Sequence, residues 1–367
     1  MQNNAKRLLI ALLLISLCLT GCAKPRIVDD VHLVQAIGYD YYKENYLLGT
    51  ITSPVYSQSA GSGIMPPKSD VMSVVVKKGT EVNAELESES EYQLEPGKLL
   101  VSLYSNEIAA DGLFQYVDLL KRNPDIGIVT NLAITEGSAK EILEGQYASD
   151  PLISEYLSNM FKKHATNNFP ETNLHTFLYQ YAGKGMDPFL PLIKKENEHV
   201  KIIGIALFKG DKYIDYVPYS QAFVFNMLYQ SFSKGNYAVP LNASQYVSIE
   251  NISSKVDYQV EPRGKDGRHP IVKISVEENG YVRESASVLK GKHSIPNLQK
   301  RLAKELQKNG ITLIKNFKNL RTDPLQIGSH VRSFQRHWSE AAWMDYYPHA
   351  DIRLKVKVKL KHEGITN

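Results

Sequence analysis

Cysteine is nearly absent from this chain of 367 residues. Its two cysteines, Cys18 and Cys22, both fall within the first 22 positions. Everything after Cys22 must therefore fold without disulfides, and it offers no cysteine nucleophile and no cysteine ligand for zinc. Long apolar runs are also missing. The longest, Leu8 to Leu19, has twelve residues, whereas a helix needs roughly 20 to cross a bilayer. No charge of one sign dominates. The 43 Lys and Arg nearly match the 39 Asp and Glu, for a net charge of +4, which gives no reason to expect a nucleic-acid partner. The common catalytic signatures are lacking as well: no H-E-x-x-H, no G-x-S-x-G, no G-x-x-x-x-G-K-[ST] and no C-x-x-C. What remains is a chain with 43 % apolar and 22 % charged residues, the profile of a globular protein long enough for a conventional core.

The short apolar run is informative because of its flanks. Lys6 and Arg7 precede it, and Leu19-Thr20-Gly21-Cys22 ends it. A positive start and a run of this length fit a signal peptide rather than a span. The last four residues resemble a bacterial lipobox, which implies diacylglyceryl transfer to the Cys22 sulfur and cleavage before it. Two acyl chains hold a protein on a membrane where one holds it only marginally. Residues 1–21 are thus expected to be a lipoprotein signal peptide, leaving 346 residues with a net charge of +2.

Along the rest, strand and helix patterns alternate. Strands are expected at 31–38, 46–53, 71–76, 99–102 and 126–134. Helical spacing marks 106–122, 138–146, 151–164 and 172–181, and Ser138 with Glu141 forms a capping-box pattern. Ser57–Ser69 and Gly183–Pro191 have loop chemistry. In the second half, 200–208 and 212–217 read as a hairpin around Lys209-Gly210-Asp211. A Tyr/Phe-rich helix follows at 221–232, then long strands at 246–260 and 270–283, separated by the polar turn 262–269. The longest helical pattern is 295–320, with Gly310 inside it at a cost of about 1 kcal/mol relative to Ala. Asp351–Lys361 alternates strictly, Ile352, Leu354, Val356, Val358 and Leu360 against Arg353, Lys355, Lys357, Lys359 and Lys361. Its basic row is expected to be a solvated face that discourages pairing between strand edges. The fold class expected is mixed α/β (α+β), multi-domain, with mixed and antiparallel sheets each packed with helices. A long helix lies against an antiparallel sheet in the C-terminal domain. The divisions expected are 22–195, a mixed α/β region that could split into two lobes near 145, and 196–367, an α+β domain.

Candidate chemistry is sparse. His330 and His337 are seven apart, about two turns on one helical face, where chelation wants three or four. They are expected to be surface or interface residues. Glu85, Glu87, Glu89 and Glu91 alternate along ELESESE, which reads as a solvated strand face. Glu107 and Asp111 sit early in the helix expected at 106–122, with Lys121 and Arg122 late, as the helix dipole favours. Gly61-Ser62-Gly63 is not placed between a strand and a helix as a phosphate loop requires. No catalytic, metal or cofactor-binding residue is expected, and no cofactor.

Several blocks together resemble the Ger(x)C family of spore germination lipoproteins, the C subunits of germinant receptors. The lipobox Cys22 is followed by HLVQAIGYD, residues 32–40. NEIAADGLFQYVDLLKRNPDI follows at 106–126, with Pro124 splitting Arg122 from Asp125, and then SAKEIL at 138–143. FLPLIKKENEHVKIIGIALFKGDKYI, residues 189–214, is the most recognisable block, and DPLQIGSHVRSFQRHW with the basic strand before Gly364 closes the likeness. Ala23-Lys24 stands where many members have Trp-Asp. The resemblance implies three mixed α/β domains, no established enzymatic activity and a place on the outer face of the inner spore membrane. It implies receptor A and B subunits as partners, with a nutrient germinant sensed by the complex. Only the lipidated Cys22 carries over as a functional residue. A solute-binding lipoprotein of an uptake system and a cell-wall enzyme are the other readings the sequence leaves open.

Overall fold

The computed structural model describes residues 31–56, 67–147, 152–240, 245–263, 269–282, 291 and 294–362. Cys22, the apolar run before it and Gly61-Ser62-Gly63 lie outside these residues.

The first strands are β1 (Val31–Leu33), β2 (Ala36–Lys43), β3 (Tyr46–Val55) and β4 (Lys68–Val76). Helix α1 (Val82–Glu89) leads to β5 (Gln93–Glu95), which pairs parallel with β1. Next come β6 (Val101–Ser105), α2 (Asn106–Asp111), α3 (Phe114–Arg122), β7 (Asn131–Thr135) and α4 (Ala139–Leu143). Two more helices, α5 (Ile153–Ala165) and α6 (Leu174–Ala182), precede β8 (Phe189–Glu196), β9 (His199–Lys209) and β10 (Lys212–Pro218). Strands β10-β9-β8-β7-β6-β2-β3-β4 make one eight-stranded mixed sheet.

Period-2 alternation in the central strands serves both faces. On β6 and β7, Val101, Leu103 and Ala133 join one apolar cluster, while Tyr104, Leu132 and Ile134 join the other. Strands buried on both faces carry near-continuous apolar runs. One face is covered by α4 and α5, the other by α1, α3 and α6. The expected boundary at 195/196 falls between the last two residues of β8, both of which pair with β9 in this sheet.

The C-terminal layer begins with α7 (Ala222–Tyr229), followed by β11 (Gly235–Pro240), β12 (Tyr246–Glu261) and β13 (Ile271–Val282). Helix α8 (Ile295–Leu320) then leads to α9 (Ile327–Phe334), α10 (Glu340–Tyr346) and β14 (Asp351–His362). The sheet is antiparallel through β11-β12-β13, and β14 adds parallel to β13. The Leu298, Leu302, Leu306, Leu313 and Phe317 stripe of α8 covers one face of it. Helix α7 is buried all round from Ala222 to Leu228, the pattern of a helix sunk in a core. Its Phe225 meets Phe189 of β8 at 5.0 Å and Phe317 of α8 at 6.0 Å between ring centres. Apolar packing therefore runs unbroken from the large sheet through α7 to the small one.

Three expectations give way to the structure. ELESESE is largely helical, because Val82 and Leu86, four apart, bury one helix face while Glu85, Glu87 and Glu89 stay exposed. The helix expected at 106–122 is two helices, broken at Gly112 (φ +128). There the Asp211 side chain accepts the Phe114 N–H at 3.1 Å. Of the expected 126–134 strand only residues 131–134 pair, the strand then running on to Thr135, and Ile128 and Val129 before it are exposed.

Candidate functional site

The chemistry-bearing residues that the fold does bring together lie where the large sheet meets α8, α9 and α10. Two Asp-Pro dipeptides build the junction. Proline offers no N–H and keeps the residue before it out of the helical region. Each aspartate side chain is thus free to serve a neighbouring segment. Asp187 sits just before β8. Its Oδ1 accepts the Gly210 N–H of the β9–β10 turn at 2.9 Å, and its Oδ2 accepts the Asp323 N–H at 2.7 Å. Its own N–H donates to the Asp323 carbonyl at 3.0 Å. Asp323 follows α8 and faces the start of α9. Its carboxylate accepts the N–H groups of Ile327 at 2.9 Å and Gly328 at 2.7 Å, satisfying donors that a helix start leaves open. The Thr322 hydroxyl donates to the Phe208 carbonyl on β9.

Close backbone approach completes the joint. Gly185 has φ +72, and a Cβ there would lie 2.5 Å from the Gly328 carbonyl carbon. Its carbonyl accepts the Ser329 N–H at 2.8 Å. Trp343 of α10 packs over Gly328, where a Cβ would meet its Nε1 at 2.3 Å. Its indole N–H is buried without a hydrogen-bond partner of its own, and it works against the rise of the Asp323 carboxyl.

Burial dominates the electrostatics. It pushes the Asp323 carboxyl up to about 7; the Gly328 and Ile327 N–H groups oppose the rise, and the neighbouring Asp187 adds to it. Asp187 is raised by burial too, against the pull of its backbone donors. Each carboxylate is occupied by backbone N–H groups from a neighbouring segment, an arrangement that suits holding two layers together.

Beside this joint lies a cavity of about 700 Å³ whose lining includes Phe334, Arg336, Trp338, Trp343 and Tyr346. The Trp338 indole N–H is buried without a partner. Such a lining suits a flat apolar group carrying an acceptor.

The residues singled out from sequence do not converge. His330 stacks on Tyr258 at 4.2 Å, and His337 falls past the end of α9. No group of metal-ligating side chains occurs among the described residues. Glu107 and Asp111 belong to a different helix from Lys121 and Arg122, and Arg122 instead pairs with Asp118. No helix among the described residues is long and apolar enough to cross a membrane. Sequence reasoning missed Asp187 and Asp323; the signal available was that each begins an Asp-Pro pair, two of the three in the sequence, and such pairs mark turns.

Comparison with known proteins gives these features a context. Residues 24–195 match the model of the spore germination protein N-terminal domain. Residues 203–364 match that of the spore germination B3/GerAC-like C-terminal domain. The spore germination protein GerQC of Bacillus cereus is 33 % identical over 362 residues, covering 97 % of this chain and 99 % of that one. The putative spore germination protein YfkR of Bacillus subtilis (strain 168) is 22 % identical over 377 residues, covering 96 % and 95 %. The crystal structure of the GerBC protein superposes with a TM-score of 0.58 at 13 % identity, over 88 % of this chain and 96 % of that one. That likeness establishes the shared mixed α/β fold.

Proposed function

The chain belongs to the GerAC-like family of spore germination proteins, and from that premise we propose that it is the lipid-anchored C subunit of a nutrient-germinant receptor. The observation that carries the reading is the near-complete span of both family models and of the GerQC relative. The C subunit is non-enzymatic in this reading. Cys22 carries the lipid, the chain sits on the outer face of the inner spore membrane, and receptor A and B subunits are its partners. Tethering confines the chain to the membrane plane and raises its effective concentration for docking. Nutrient binding within the complex then shifts an equilibrium that the subunits share. The domain division at 195/196 belongs to the same proposal, as the two family models meet near it.

Deletion of the gene tests the reading. Spores should lose germination with a nutrient while keeping germination with dodecylamine. Normal nutrient germination in every medium would overturn it. A tight small-molecule ligand for the chain alone would favour a solute-binding lipoprotein, and peptidoglycan hydrolysis would favour a cell-wall enzyme. Cys22→Ala should release the chain from membranes when no partner is present.

A further inference from the structure

The outward face of the small sheet carries a row of lysines that its neighbours do not neutralise. Along β14, Arg353, Lys355, Lys357, Lys359 and Lys361 are exposed, while Leu354, Val356 and Leu360 are buried on the opposite side. Arg353 is held by Asp351 at 2.8 Å, and Lys357 approaches Glu277 at 3.5 Å. Lys355, Lys359 and Lys361 have no acidic partner among the described residues. Their register neighbours on β13 are Ser275, Asn279 and Tyr281, none of them a carboxylate.

Guarding the open strand edge does not account for this row. The edge N–H groups of Val356 and Leu360 already donate to Gln307 and Gln299 of α8, at 3.3 and 2.8 Å. The helix supplies the cover that charged side chains would otherwise give an exposed edge. Nor does the row resemble the centre of a protein interface, which is built on buried aromatic or arginine anchors. It is a row of basic residues at alternate strand positions, with Cα atoms about 7 Å apart, twice the rise per strand residue.

We propose that this face of β14 rests on a surface of anionic lipid headgroups. A bilayer presents a dense, flat array of phosphates that needs no pockets to match the row. The inference rests on the proposed anchor. Eight residues separate Cys22 from Val31, so a lipidated Cys22 holds the folded chain within about 30 Å of the membrane. Attraction to headgroups is screened beyond about 10 Å at 0.1 M salt. The lysines therefore act at contact, fixing which side of an already tethered protein faces the bilayer.

The full lipidated chain, placed on vesicles of phosphatidylcholine alone or mixed equally with phosphatidylglycerol, provides the test. Flotation reads attachment, and amine acetylation followed by mass spectrometry reads each lysine. Lys355, Lys359 and Lys361 should react several-fold more slowly on the anionic vesicles, and high salt should restore them. Lys121 and Lys212, on other elements, should not change. The triple variant Lys355→Glu, Lys359→Glu, Lys361→Glu should float equally well and show no dependence on lipid charge elsewhere in β14. A chain that floats with both vesicles but reacts identically on each keeps the anchor and sinks the lipid-facing surface. A chain that floats with neither overturns both. Protection that appears only when the membrane subunits are co-reconstituted also overturns it, assigning the row to an acidic protein partner.

Discussion

Asp187 and Asp323 hold each other by two reciprocal hydrogen bonds, the Asp323 N–H to the Asp187 carboxylate at 2.7 Å and the Asp187 N–H to the Asp323 carbonyl at 3.0 Å. The pair fastens the entry of β8 to the exit of α8. Removing the Asp187 carboxylate leaves the buried Asp323 N–H without an acceptor, whereas the Gly210 N–H lies in an exposed turn that water can reach. The buried loss costs about 1–3 kcal/mol. Asp187→Ala should therefore destabilise the chain by about 1–3 kcal/mol, read by chemical denaturation. Asp187→Asn, which keeps one acceptor oxygen, should lose about half as much. Equal stability of the alanine variant and the parent would show that the joint does not hold the layers.

The edge of β14 offers a second test. Gln299 and Gln307 lie eight residues apart on α8, so they fall on one side of the helix, and they accept the N–H groups of Leu360 and Val356. Replacing either with Leu preserves helix propensity and removes the acceptor. Each replacement should cost about 1 kcal/mol, and the pair should cost more together. Gln→Glu at the same sites keeps an acceptor and should cost less. Denaturation midpoints of the five variants check this.

Much of the small sheet and its helix was readable in advance. Strict alternation in 351–361 and the leucine stripe of 295–320 each repeat over many residues, so local errors cancel. The β9–β10 hairpin was readable from Gly210, which takes φ +60 in its turn. The Ser138 N-cap was readable because the signal is local; its hydroxyl accepts the Glu141 N–H at 3.3 Å, the first half of the expected capping box. ELESESE misled because alternating Glu imitates a strand, while only the spacing of Val82 and Leu86 reports the helix. The break at Gly112 depends on Asp211, 97 residues from its Phe114 partner in sequence. The Asp187–Asp323 joint spans 136 residues, so no local pattern could pair them, and the Asp-Pro dipeptides signalled only turns.

Gly310 separates helix propensity from packing. In an exposed helix, Gly→Ala gains about 1 kcal/mol. Here Gly310 is buried in the stripe of α8, and a Cβ would lie 2.5 Å from the Leu354 Cδ2 on β14. Added volume in a packed core costs about 1–3 kcal/mol. The two effects oppose each other, and the packing cost is the larger or equal. Gly310→Ala should not stabilise the protein. A gain near 1 kcal/mol in denaturation would show that Leu354 moves aside freely.

Glu278 makes stability depend on pH. It is inward-facing on β13, its Oε1 accepts the Ser254 hydroxyl at 2.6 Å, and its Oε2 is buried without a partner. Burial pushes its carboxyl up to about 7, with the Ser254 hydrogen bond opposing the rise. The unfolded chain releases the same proton near about 4.3. A raised folded value means that the stabilising, protonated form is fully present below about 4.3 and is lost as pH climbs through about 7. Stability should therefore fall between pH 5 and pH 8, with Glu278 contributing about 3 kcal/mol to the decline. Asp323, also raised to about 7 by burial, adds to it with the same sign. Glu278→Gln stays neutral and can still accept from Ser254. It should melt close to the parent at pH 5 and a few degrees above it at pH 8, with the Asp323 part of the slope remaining. If the variant and parent lose the same stability between the two pH values, Glu278 is not protonated in the folded chain.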